Sequence, residues 1–517
     1  MRRPFLRPVG ALLLIPLSVQ LAACVVHTAP RPIPREEVLN PAAEEIYGVT
    51  TVGGEVVMFQ MPKINPARRD QGPGMAPYVR GDTLYAKAAG QAYRIPTDQV
   101  QRYWIREVST GKTIGLTAAV VGGAILAAAL LGAALADDPE PQTTQSCPFI
   151  YAWNGSEWVF DGEPYGGATT RGLERDDYAE LEHLVAEDGE YRLRVTNEVP
   201  ETQYTNHMEL IVVDHAPGTR VVSDGRGGFH ALRAPVPPVR AEDETGRDLT
   251  AWLSEEDHRI WEPAPDPTAS GDRSEIVLTF PRPADAGRAT LVYRAGTGLW
   301  GSWMIKSMLL LHGDEVDDWY STVDSDPAAR NALHEWNLRE ELYTLKVQVE
   351  RSGRWEDAGE ILGGGPIVLE SRTLPLDLAG ADPGELRIRI RPPRGFWALD
   401  AFAIEYGEPA LAAVTPLPPV RATDQLGRDV AAALAAADDD YYAMPSNDDR
   451  AEVVFRAPPA AAGMERTVFL HARGWYRIHL PGTGAPDRET LLSIATVPGA
   501  AARYAAESFD RWQLALR

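Results

Sequence analysis

The sequence predicts a mainly β protein with helical appendages: two homologous β-sandwich or jelly-roll-like domains, preceded by a small β barrel-like domain and a Gly/Ala-rich helix. Three observations carry this. Short alternating runs such as Tyr191-Arg192-Leu193-Arg194-Val195 recur between turn signals, the pattern of half-buried strands. A phrase is said twice, PPVRAEDETGRDLTAWL at 237–253 and PPVRATDQLGRDVAAAL at 418–434, at a constant offset of 181. An internal copy of this kind marks related units. And 517 residues are too many for one core.

The phrase itself reads as a turn. Asp243-Glu244-Thr245-Gly246 and Asp424-Gln425-Leu426-Gly427 place Asp first and Gly fourth, the type I preference. Pro237-Pro238 and Pro418-Pro419 cannot donate to a ladder and mark edges. Arg247, Asp248, Arg428 and Asp429 are then hairpin residues, or, in a sharper reading, two ligand-binding pairs. The hairpin reading is preferred.

The match extends on both sides. Ile150 to Trp158 is a hairpin around Asn154-Gly155, and Val347 to Trp355 has the same shape. Gly162-Glu163 matches Gly359-Glu360, and Gly166-Gly167 matches Gly363-Gly364. Asp272 to Glu275 aligns with Asp449 to Glu452, and Thr290 to Tyr293 with Thr467 to Leu470. The copies are set at 147–303 and 345–480, with a helical connector at 304–344 and C-terminal helices at 486–515.

Upstream, Val49 to Phe59, Gly81 to Ala86, Gln91 to Pro96 and Val100 to Val108 read as the strands of a small β domain spanning 42–112. Residues 113–136 carry no charge, and at 1.5 Å per residue they reach roughly 36 Å, enough to cross a bilayer core. A simple crossing would leave Arg106 and Lys112 on the wrong side for the positive-inside tendency. The glycines suit close helix approach. The stretch is expected to enter a membrane or associate with a second copy, giving a homo-oligomer, or to pack on the protein itself.

The chain opens with Arg2, Arg3 and Arg7, an apolar run to Leu21, and Leu21-Ala22-Ala23-Cys24. This is the layout of a secretory signal peptide over 1–24. Its last four residues resemble the lipobox of bacterial lipoproteins. The resemblance implies that Cys24 becomes the lipidated first residue, with 25–41 a proline-rich tether, and that the protein sits at the cell envelope, on the outer-membrane or periplasmic side. The whole layout is similar to a group of uncharacterised bacterial lipoproteins, most closely over Cys147 to His215. No activity or binding residue comes with that likeness.

Composition excludes some classes. A formal charge of −23 and a pI near 4.9 argue against nucleic acid. The two cysteines, Cys24 and Cys147, give no disulfide framework, and Cys147 is buried or available between chains. Neither G-x-S-x-G, H-E-x-x-H nor a P-loop is present. The ten histidines are scattered in sequence, so no metal site, cofactor or catalytic residue is assigned. The acidic run Asp314, Glu315, Asp317, Asp318, Asp324 and Asp326 lacks EF-hand spacing and reads as a solvated helix face. Trp158 and Trp355, in register in the two copies, are expected in the core. The expected function is an envelope binding or scaffolding protein with a protein or glycan partner. The rival is a glycan-active hydrolase or carbohydrate-binding protein using acidic residues and exposed tryptophans.

Overall fold

The computed structural model describes residues 31–35, 46–52, 56–58, 78–80, 83–88, 91–105 and, with gaps at 258, 264–270, 367, 408–409 and 439, residues 148–515. Cys24, Cys147 and the stretch 113–136 lie outside the described residues. No helix among the described residues is long and apolar enough to cross a membrane.

Four sheets form two sandwiches. In sandwich 1, one sheet runs in the order Arg421–Asp424, Arg450–Arg456, Glu190–Thr196, Phe149–Trp153, Trp158–Gly162. It faces a sheet ordered Arg175–Glu180, Glu465–Ile478, Glu201–His215, Thr415–Leu417. Alternation places Leu193, Val195 and Val453 of the first against Met208, Leu210 and Leu470 of the second, all inside one core.

Sandwich 2 repeats the first sheet strand for strand: Arg240–Glu242, Ile276–Arg282, Gly384–Ile390, Thr344–Arg351, Arg354–Leu362. Its second sheet contains Trp397–Tyr406, Arg288–Thr297 and Glu370–Asp377. That sheet continues through a hairpin, Arg220–Ser223 and Phe229–Leu232, to Ala410–Leu411. Its core gathers Leu278, Leu291, Ile388, Trp397 and Phe402. The duplication is therefore visible as a shared strand order.

The chain does not, however, build the sandwiches one after the other. Glu190–Thr196 pairs with Arg450–Arg456, and Glu201–His215 pairs over fourteen partners with Glu465–Ile478. Ile276–Arg282 pairs with Gly384–Ile390, and Arg288–Thr297 with both Glu370–Asp377 and Trp397–Tyr406. Neither 147–303 nor 345–480 closes a sandwich alone. Sandwich 1 is made of 148–215 and 415–478, and sandwich 2 lies inside it. A half-sandwich leaves an apolar face open, and here each half is covered by strands of the other copy.

Helices Leu299–Leu310, Val316–Ser325 and Pro327–Glu340 join the two halves, the first beginning before residue 304, and Arg488–Thr496 and Ala500–Ala515 follow the last strand. Asp326 caps the third of these by accepting from the Ala328 amide at 2.9 Å. Asp314, Asp317, Asp318 and Asp326 of the acidic run are exposed, and Asp324 departs from the solvated face by accepting from the Gly172 amide at 2.9 Å.

The N-terminal strands form two sheets among the described residues. One is Tyr78–Arg80, Thr83–Ala88 and Gln91–Pro96. The other contains Val100–Ile105, Ile46–Thr51 and Val56–Met58, and Arg259–Ile260 of sandwich 2 adds its far edge. Arg31–Pro34, inside the stretch read as a tether, pairs with Val100–Ile105 as the other edge.

Candidate functional site

The residues singled out by the repeated phrase are occupied locally. In both copies the turn is the one expected: Gly246 and Gly427 donate to the Asp243 and Asp424 carbonyls at 3.0 Å. The same aspartates accept from the Arg247 and Arg428 amides through their carboxylates. The Arg247 guanidinium lies 4.4 Å over the Trp261 ring, and Asp248 accepts from the Thr250 amide at 2.8 Å. Arg428 donates to Asp424 at 2.6 Å, and Asp429 accepts from the Ala431 amide at 3.0 Å. The two pairs sit on different sandwiches and are not brought together.

The charged chemistry gathers instead along the seam between the sandwiches. Arg372, fully buried, donates to Asp177 of sandwich 1 at 2.7 Å and to Glu370 of its own sandwich. Burial works against ionised Asp177, but Arg372, Arg175 and the Tyr165 and Tyr178 amides outweigh it and hold its carboxyl below the usual range. Burial, with the Asp177 charge beside it, pushes Glu370 up to about 7. Glu163 crosses the same seam by accepting from the Val368 amide at 2.8 Å.

A second cluster opens to solvent. Arg294, buried on the strand Arg288–Thr297, donates to Glu182 at 3.0 Å and to Glu256 at 2.7 Å, with Asp400 at 3.2 Å from its Nε. Arg220 pairs with Glu256 and donates to the Ser371 hydroxyl at 2.8 Å. Glu180, Glu182, Arg220 and Glu256 line a cleft of about 510 Å³. Burial raises the Glu180 carboxyl to about 7, with Glu182 and Glu256 adding repulsion. Burial also opposes ionised Glu256, yet Arg294 and Arg220 prevail and lower it. Near neutrality one carboxyl is therefore about half protonated while its neighbour is favoured as the charged form, a division of labour that acid–base chemistry uses.

A third cluster lies on the outer face of the sheet containing Glu201–His215. Glu209 stands opposite His471 across the ladder, and His207 is two residues before it on the same face. His471 Nδ1 is 2.8 Å from Glu209, its Nε2 is 3.0 Å from Asp176, and His207 Nε2 is 3.5 Å from Glu209. Spacing in sequence hides this group, since His471 arrives from a strand more than 250 residues away. The one signal was His207 and Glu209 at i and i+2 on a strand.

Among the described residues no tryptophan is fully exposed. Trp158 and Trp355 are half-buried outside the main cores, each under an arginine: Arg194 at 4.3 Å and Arg389 at 4.7 Å. An aromatic platform for sugar rings is not formed by them.

No protein-family model matches the chain, and no curated protein matches it. Several solved structures align with parts of the chain. One is TmCBM61 in complex with β-1,4-galactotriose, at 10% identity, covering 38% of this chain and 88% of that one, TM-score 0.14. Another is BpGH86A, a β-porphyranase of glycoside hydrolase family 86 from the human gut bacterium Bacteroides plebeius. It has 10% identity over 50% of this chain and 39% of that one, TM-score 0.16. A third is the exo-β-1,3-galactanase of Phanerochaete chrysosporium with β-1,3-galactotriose, at 9% identity over 74% and 82%, TM-score 0.16. This chain thus spans well under half of the porphyranase. At these TM-scores the alignments carry no argument about the fold or the activity of this chain.

Proposed function

We propose that this chain is a lipid-anchored binding protein of the bacterial cell envelope, held at the membrane through Cys24 and presenting the seam cleft to a hydroxyl-rich, uncharged glycan. The observation that carries the reading is the Arg294 cluster, which fixes Glu182 and Glu256 beside Glu180 at the mouth of a cavity of about 510 Å³. Carboxylates and guanidinium groups in such a cleft supply the acceptors and donors that vicinal hydroxyls need, and the excess of acid disfavours an anionic ligand. A second reading is a glycan-active hydrolase. It is favoured by the opposite displacement of Glu180 and Glu256, which suits a general acid beside an ionised partner.

Calorimetry with neutral oligosaccharides, run beside a reducing-end assay, separates the two. Binding without new reducing ends, abolished by Glu256→Gln, supports the binding protein. New reducing ends lost in Glu256→Gln with binding retained support the hydrolase. Absence of both removes the glycan reading altogether. Cys24→Ala should move the protein from the membrane to the soluble fraction.

A further inference from the structure

The geometry points to a binding site for a divalent transition-metal ion of zinc type, formed by His207 Nε2, Glu209 and His471 Nδ1. Their donor atoms all lie within 4.8 Å of one another, the one such His/Cys/Asp/Glu group of three among the described residues. A tetrahedral ion with bonds of about 2.1 Å wants donors roughly 3.4 Å apart. The observed separations of 2.8 Å and 3.5 Å from Glu209 bracket that figure, and the two imidazole nitrogens lie within 4.8 Å of one another.

The placement is set by the sheet. Glu201–His215 and Glu465–Ile478 share the longest ladder among the described residues, which fixes the three Cα positions. Beyond the donors stands the support a metal-bound imidazole needs. His471 Nε2 is held by Asp176 at 3.0 Å, and Arg473 fixes that carboxylate at 2.8 Å. Tyr178 stacks on the His471 ring at 4.4 Å and 11°, which sets its plane. A carboxylate behind a ligating histidine selects the tautomer whose other nitrogen faces the metal. The His207 ring is held edge-on to the His471 ring at 4.9 Å with its Nε2 toward Glu209, while its buried Nδ1 has no hydrogen-bond partner.

Two imidazoles and one carboxylate suit zinc and its neighbours over magnesium or calcium, which prefer oxygen alone. Three protein ligands leave a fourth position for water or a ligand atom. Without metal, the same residues are a cluster linked by protons, with His471 between two carboxylates. The two states make different predictions.

The test uses the full chain in detergent, stripped with EDTA, dialysed, and titrated with zinc chloride against a chromophoric chelator. One zinc per chain is expected, with thermal unfolding shifted upward by the ion. His207→Ala should weaken binding by more than about 100-fold, and Asp176→Asn by about 10–100-fold through loss of support to His471. Cobalt in place of zinc should give the strong visible absorption of a four-coordinate site, lost in His207→Ala. If His471→Ala fails to fold, His207→Ala decides, since no hydrogen bond is lost at its Nδ1. No retained zinc in the wild-type chain, or equal affinity in His207→Ala, would overturn the assignment.

Discussion

Arg372 lies between two carboxylates contributed by different sandwiches, and its removal strands both. Its side chain and those of Asp177 and Glu370 are each less than 5% exposed. Taking one partner out of a buried ion cluster leaves charge that neither water nor a counter-ion can reach, which costs about 3–5 kcal/mol. Arg372→Met is expected to lose stability in that range by chemical denaturation, and a loss below about 1 kcal/mol would show the seam to be hydrated. Asp400 offers a complementary test through pH. Burial lifts its carboxyl to about 8, against the pull of Arg294 and with help from Glu256 and Asp257. An unfolded aspartate titrates near ~4, so the folded chain holds this proton longer. The resulting stabilisation is full below about pH 4 and is lost as pH rises to about 8. Asp400→Asn, which mimics the protonated form, should therefore gain on the wild type between pH 5 and 8, by up to about 1.4 kcal/mol per unit. A constant difference across that window would show that Asp400 is ionised throughout.

At the level of elements, the repeated turn shows what local sequence can and cannot specify. Gly246 and Gly427 adopt φ of +79° and +77°, and a Cβ at either would meet nothing within 4 Å. The cost of alanine there is backbone strain alone, about 1–2 kcal/mol, and should be equal in the two copies. Gly474→Ala should cost more, because its Cβ would lie 2.5 Å from the Tyr204 carbonyl oxygen and 2.7 Å from the Tyr165 ring. Urea midpoints for the three variants check the order, and unequal effects at 246 and 427 would break the equivalence of the turns. Both turns were legible because Asp and Gly act on their own backbone. The Asn154-Gly155 hairpin was legible for the same reason, with Gly155 at φ +91°. Glu180, Glu256 and Arg294 were not, since nothing in a strand's own alternation says which strand will lie beside it. His207 and Glu209 could be placed on one face, but His471 joins them only through a ladder between strands more than 200 residues apart. The core expectation for Trp158 and Trp355 fared less well, because Arg194 and Arg389 provide the cover that a second sheet was expected to give.

The largest consequence belongs to the whole molecule. Sandwich 2 is carried between Glu201–His215 and Thr415–Leu417, two strands that are themselves paired, with Val212 opposite Thr415. The ends of the insertion are therefore neighbours in space, as in a domain inserted into a host. Removing 217–411 and joining Ala216 to Ala412 would leave seven residues between Val212 and Thr415, enough for an ordinary hairpin loop. That deletion is expected to yield a folded but less stable sandwich 1, without the seam, with the sheet face under Phe229 uncovered and with Leu309, Val316 and Tyr320 of the connector helices lost from its core. The excised piece, 217–411, should fold as sandwich 2, since its two sheets are complete within it, at a stability lowered by the loss of Ile494, Ala501 and Ala505 of the C-terminal helices from its core. By contrast a fragment of 345–480 would hold Gly384–Ile390 without its partner Ile276–Arg282, and Glu465–Ile478 without Glu201–His215. It would expose one apolar face of each half and should fail to unfold cooperatively. Circular dichroism and thermal melts of the three pieces compare the alternatives directly. A cooperative melt from 345–480, with none from 217–411, would mean that the halves prefer their sequence neighbours, and that the nested pairing is not the stable one.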